Sequence, residues 1–196
     1  MRNVFLLFIV ASTFTVAVIA AEKPGEPTET VRFGDEQLEL AWQIESASNN
    51  IKEFIPKGQS LRSWTTFVGI YEYPLIDDVR GFARQMAESI KQQNPRAQSW
   101  VTYDPKTDIA IVDFVTWPVD AKFVEYNVFR FERHATKGIV GYQYAVRDYN
   151  DKKNFFRNLD TLRKRSHKTM SEEGVVIQPG ATEDKTASKS PAAAQR

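Results

Sequence analysis

The stretch DIAIVDFVTW, residues 108–117, carries apolar side chains at both parities of a two-residue repeat. Ile109, Ile111 and Val115 fall on one side of an extended chain, and Ala110, Val112 and Phe114 on the other. Successive side chains of a strand point to opposite faces. A strand apolar on both is therefore covered on both sides, or at least sits centrally in its sheet. Asp113 interrupts this strand, as Glu125 interrupts a later one. Paired with Arg130 or Arg147 on a neighbouring strand, each becomes a cross-strand ion pair.

Outward from this segment, the neighbouring runs also read as strands. Gln98 to Tyr103 reaches it through the turn Asp104-Pro105-Lys106-Thr107, while Lys122 to Arg133 and Gly138 to Arg147 flank His134-Ala135-Thr136-Lys137. Both connections have antiparallel hairpin length. Upstream, Leu38, Leu40, Trp42 and Ile44 alternate with Glu39, Ala41, Gln43 and Glu45, the pattern of a half-buried strand. Lys52 to Ile55 is a second run, and Thr66 to Tyr73 a third that Pro74 stops.

The period changes between these blocks. Ile76, Val79, Phe82, Ala83, Met86 and Ile90 share one helix face up to Gln93, with Asp77 and Asp78 at the start and Asn94-Pro95 at the end. A last helix runs from about Asp151 to Met170, with Phe155, Phe156, Leu159 and Leu162 inward and Asn150 or Asp151 as its cap. The order β-β-β-α-β-β-β-β-α predicts an α+β domain: one antiparallel sheet of about six to seven strands with two main helices packed on it.

One connection carries more information than the rest. In EFIPKGQSLRSWTTFVGIYEYP, residues 53–74, Ile55-Pro56-Lys57-Gly58 fits a type I turn with proline second and glycine fourth. Ser60 then caps a single helical turn from Leu61 to Trp64, and Gly69 permits a bulge or a close approach of chains. Trp64 either wedges a corner of the sheet or rims a ligand groove. The run EFIPKGQSLRSW before a strand, together with the order strand, helix, four strands, helix, resembles the PsbP-like fold, over roughly Thr30 to Met170. That superfamily holds the extrinsic P subunit of photosystem II and many small secreted bacterial proteins. The resemblance implies an accessory or binding role and brings no catalytic residues with it.

The chain opens with Arg2, an apolar run through Ile19, and the small residues Ala17, Ala20 and Ala21. This is the layout of a secretory signal over residues 1–20, cleaved after Ala20 or Ala21, with an uncleaved membrane anchor as the alternative. The mature protein is then secreted or periplasmic and away from the membrane. Residues 21–29 read as a flexible leader, 30–170 as a single domain, and 171–196, ending ATEDKTASKSPAAAQR, as a disordered tail. Without cysteine the chain has no disulfide and no thiolate chemistry. Lys and Arg number 26 against 25 Asp and Glu; loss of Arg2 balances them, which argues against a nucleic-acid partner.

Little in the sequence points to chemistry. His134 in a turn and His167 near a helix end have no companions at metal-ligand spacing, so neither a metal nor a cofactor is expected. No G-x-S-x-G elbow occurs, and Asp77-Asp78 suits a helix start. Tyr142 and Tyr144 share a strand face with Val140 and Val146, so a pocket between sheet and helix is sought there. Trp64, Tyr142, Tyr144 and the basic Arg163, Lys164 and Arg165 form the candidate ligand or partner surface. The expected function is non-catalytic binding of an unknown protein or small ligand, with a hydrolase using one of the histidines as the alternative.

Overall fold

The computed structural model describes residues 29–178. Its nine strands form one sheet in which every pairing is antiparallel. The first meander is β1 (Thr30–Phe33), β2 (Glu36–Glu45), β3 (Asn50–Ile55) and β4 (Thr66–Tyr73). The second is β5 (Gln98–Asp104), β6 (Ile109–Thr116), β7 (Val124–Arg133) and β8 (Ile139–Asp148). The two meanders join where β4 pairs β8 over its whole length, from Thr66 opposite Val146 to Tyr73 opposite Ile139. The short β9 (Val176–Gln178) then adds outside β1, giving the order β5-β6-β7-β8-β4-β3-β2-β1-β9.

Each helix carries the chain from the middle of the sheet to one edge. Helix α1 (Val79–Gln93) links β4 to β5, and α2 (Lys152–Glu172) links β8 to β9. Asp78 caps α1 by accepting from the Gly81 N–H at 2.8 Å, and Asp151 caps α2 by accepting from Asn154 at 2.9 Å. They lie on opposite faces of the sheet, because β6 divides its side chains between two cores. Ala110, Val112 and Phe114 pack with Val79, Phe82, Ala83, Met86 and Ile90 of α1. Val115 belongs instead to the core that holds Phe155, Leu159 and Met170 of α2. The doubly apolar strand is thus covered on both sides, although it lies next to the β5 edge and not at the centre.

Several expectations are corrected. The sheet has nine strands and not six or seven, since β1 and β9 were missing from the sequence reading. The tail assignment from residue 171 fails over 171–178, which complete α2 and form β9; residues 1–28 and 179–196, with the signal and leader assignments, lie outside the described residues. In β2 the alternation breaks. Leu40 opposes Phe54 but Trp42 opposes Glu53, so a bulge at Ala41 leaves Leu38 and Leu40 in the α2 core and turns Trp42 and Ile44 to the α1 side. Phe156, expected inward, is 43% exposed and lies edge-on to Trp117.

The connection from β3 to β4 also differs in detail. The Gln59 N–H donates to the Pro56 carbonyl, which shifts the turn by one residue and puts Gly58 at its third position with φ +78°. A positive φ there is the requirement of a type II turn. Ser60 and Ser63 exchange backbone hydrogen bonds in a tight bridge, so the expected helical turn is absent. The Gln59 carboxamide spans the connection, accepting from the Thr65 N–H at 2.8 Å and donating to its hydroxyl at 3.0 Å. Trp64, only 3% exposed, packs with Ile55, Phe67 and Ala145. It is a corner. Trp64→Ala should lower stability by about 3–5 kcal/mol in denaturant melts. Gly58→Val should destabilise through backbone strain alone, since no atom lies within 4 Å of a Cβ placed there.

Candidate functional site

A cleft of about 660 Å³ opens on the α1 side of the sheet, where α1 ends and residues 117–123 connect β6 to β7. Phe114, Trp117, Pro118, Val119 and Phe123 give it apolar walls, and Asn94, Thr116 and Glu125 supply polar groups. Asn94 fixes its geometry: the side-chain amide donates to Thr116 Oγ1 at 2.8 Å and to the Trp117 carbonyl at 3.3 Å. Helix end and strand end are thereby tied together. Val119 stands fully exposed at the rim.

Beneath the cleft the polar side chains are held rigidly. Arg147 donates to Glu125 Oε2 through Nε at 2.9 Å and Nη2 at 2.6 Å, the expected cross-strand pair, with both side chains nearly inaccessible. The guanidinium lies between two rings, 3.9 Å from the centre of Trp64 and 4.0 Å from that of Phe123. Phe123 lines the cleft and Trp64 does not, so Trp64 supports the wall from behind. From Glu125 a chain of hydrogen bonds crosses the sheet. Asn127 donates to Glu125 Oε1, Gln143 to Asn127, and the Tyr71 hydroxyl to Gln143, at 2.8, 2.6 and 2.6 Å. Every link has a defined donor and acceptor, which suits a buried network.

Glu53 lies near the Tyr71 end of this chain and is not part of it. No hydrogen bond or ion pair reaches its carboxylate among the described residues, and burial pushes its pKa from 4.5 up to about 7. Burial also raises Tyr71 well above its ordinary value, with the neighbouring Glu53 charge adding to the effect.

The opposite face holds the remaining sequence candidates. Tyr144 is buried, stacks on Phe33 at 4.1 Å and donates to Glu36 Oε1 at 3.0 Å, while Tyr142 is half-buried beside it in the same core. Arg163 does not face solvent freely: its Nε donates to Asp113 Oδ2 at 2.6 Å, and the guanidinium covers Trp100 at 3.7 Å. Lys164 and Arg165 are exposed, Arg165 standing 3.8 Å from Glu36. Trp64 and the two tyrosines therefore occupy opposite faces and form no common surface.

Asp113 takes a different partner from the one expected. Arg130 turns to Glu132 and to the Met170 carbonyl, leaving Asp113 to α2. His167 Nε2 stands 3.1 Å from Asp113 Oδ1 without the alignment of a hydrogen bond. Burial alone would raise the Asp113 pKa, but His167 and Arg163 outweigh it and hold the carboxyl below its ordinary value. Ser166 is buried with an unpartnered hydroxyl, so it makes no nucleophile pair with the adjacent histidine. His134 bonds Thr136 two residues away, a local turn contact. No group of His, Asp and Glu side chains suited to a metal ion converges among the described residues.

A protein-family model matches residues 26–174, from before β1 to just past α2. The chain belongs to that family, one of unknown function. A comparison with curated proteins finds no match.

The cleft itself escaped the sequence reading because Trp117-Pro118-Val119 looks like an ordinary strand end. The available signal was Asn127 and Gln143, amides that share the inward parity of Glu125 and Arg147 on their strands. Two outcomes follow from the buried charges. Arg147→Met leaves Glu125 buried without its cation and should cost about 3–5 kcal/mol, read from chemical denaturation. For Glu53 the native state binds more protons than the unfolded chain between pH 4.5 and about 7. Wild type should thus lose stability relative to Glu53→Gln as pH rises through that window, at no more than about 1.4 kcal/mol per pH unit, and the difference should level off above it.

Proposed function

We propose that this protein is a non-catalytic binding or accessory module of the secretory or periplasmic space, holding an apolar part of a small ligand or protein partner in the cleft at the end of α1. The observation that carries the reading is the cleft's construction. Aromatic and proline walls surround a floor in which Glu125 accepts three hydrogen bonds, two from Arg147 and one from Asn127. A carboxylate ion-paired in this way is a weak base, whereas fixed walls and few polar groups suit recognition. The resemblance to PsbP-like accessory proteins points the same way, as do the histidines' surroundings: His134 bonds the exposed Thr136 hydroxyl within its own turn, and Ser166 beside His167 is buried and unpartnered.

The hydrolase alternative has to use one of those histidines. Against it, the carboxylate nearest His134 Nε2 is Glu72 at 3.8 Å, beyond hydrogen-bond reach. The address rests on residues 1–21 of the sequence. Among the described residues no helix is long and apolar enough to cross a membrane.

The test uses Val119, whose exposure separates binding from folding. Ligands and partners recovered from the native secretory compartment on wild-type protein should be lost on Val119→Arg, with an unchanged melting temperature. Equal recovery on both proteins would remove the cleft from consideration. Retention of Met1 on a membrane-bound species, seen by mass spectrometry, would overturn the address independently of the cleft.

A further inference from the structure

On the α1 side of the sheet, α1 packs mainly against β5, β6 and β7, reaching Tyr73 of β4 and Ile139 of β8, and α2 packs from the other side. Among the described residues the α1 core takes no side chain from β2 or β3, whose α1 side is left open from Asn50 to Glu53. The bulge at Ala41 places two large apolar side chains on that open area, where Ile44 is 44% exposed and Trp42 partly so. Ile51 lies directly opposite Ile44, and Glu53 directly opposite Trp42. On the other flank Glu53 opposes Gly69, and a Cβ on Gly69 would collide with the Tyr71 ring, so that ring lies across the glycine. Glu53 therefore stands in a shallow row between an indole and a phenol, with aliphatic residues beside it.

Among the described residues the carboxylate has no cation of its own. Lys52, its neighbour in sequence, points to the opposite face and pairs with Glu29 at 2.7 Å. The Tyr71 hydroxyl is committed to Gln143. An unpaired, partly desolvated carboxylate flanked by aromatic rings lacks only a positive charge: a basic group would neutralise it and lie over the ring faces at once. We propose that this open face docks a partner protein through a lysine or arginine side chain placed between Trp42 and Tyr71, with apolar residues of the same partner segment covering Ile44 and Ile51. Arginine suits the place better, since its planar guanidinium can stack on a ring while donating to Glu53. This surface is separate from the cleft, which lies beyond the Glu125–Arg147 pair.

The experiment titrates the full-length protein with the peptide Ac-Leu-Arg-Leu-NH2 and with its counterpart Ac-Leu-Gln-Leu-NH2, following Trp42 and the Glu53 side-chain carboxyl by NMR. The arginine peptide should bind at least about tenfold more tightly than the glutamine peptide. On saturation it should return the Glu53 titration midpoint from about 7 toward the ordinary 4.5. Glu53→Gln should erase the difference between peptides while leaving the fold intact by circular dichroism, and Trp42→Leu should weaken only the arginine peptide. Equal binding of both peptides, or a Glu53 midpoint that the arginine peptide leaves unmoved, would overturn the proposal. So would sedimentation showing that a second copy of this chain already covers Trp42.

Discussion

The β4–β8 ladder is the contact on which the rest of the molecule depends. Among the described residues it is the only pairing between the two meanders, and it joins residues far apart in the chain, as Tyr71 and Gly141 show. Until it forms, neither helix has a complete surface to cover: the α1 core takes Tyr71 and Tyr73 from β4 beside Phe131 of β7 and Ile139 of β8, and the α2 core draws on β1, β3, β4, β7 and β8 together. Closing so long a loop before the contacts reward it costs chain entropy, which makes folding slow relative to a helical protein of similar size. The hydrogen-bonded polar chain crosses this same seam, since the Tyr71–Gln143 bond spans β4 and β8. A polar network at that position specifies register: a slip of one residue would put its members on the wrong face.

Much of this architecture was legible because most strands obey a simple alternation. The eight strands from β1 to β8 lack only the first in the sequence reading, and Thr66–Tyr73 matches its strand residue for residue. The failures share a cause. Val176–Gln178 is too short to display a period, and Thr30–Phe33 becomes a strand by pairing with it and with β2. Trp42 and Ile44 fit the alternation perfectly on paper, yet a single extra residue at Ala41 reverses their direction. A bulge is invisible to pattern counting, because it depends on what the partner strand offers.

The candidate sites were less readable than the fold for a related reason. Glu125 and Arg147 could be paired from their positions, but Asp113 found its cation on a helix, and no sequence period relates β6 to α2. Trp64 was the right residue to notice and neither proposed role describes it fully. It closes a corner of the sheet and also backs the arginine whose other side supports the cleft wall. The sheet corner and the cleft wall thus share one stack of three side chains, so a change at the corner is felt at the cleft without touching it.

The pairing of Thr30 with Gln178 brings the two limits of the described domain together on one sheet edge. A chain made from its N-terminus carries β1 as an unfinished border until the last strand arrives. Completion of that edge therefore reports that the whole domain has been delivered. The same proximity means that a short bridge could join these ends and new termini be opened at the Asp104–Thr107 hairpin, with every ladder of the sheet preserved.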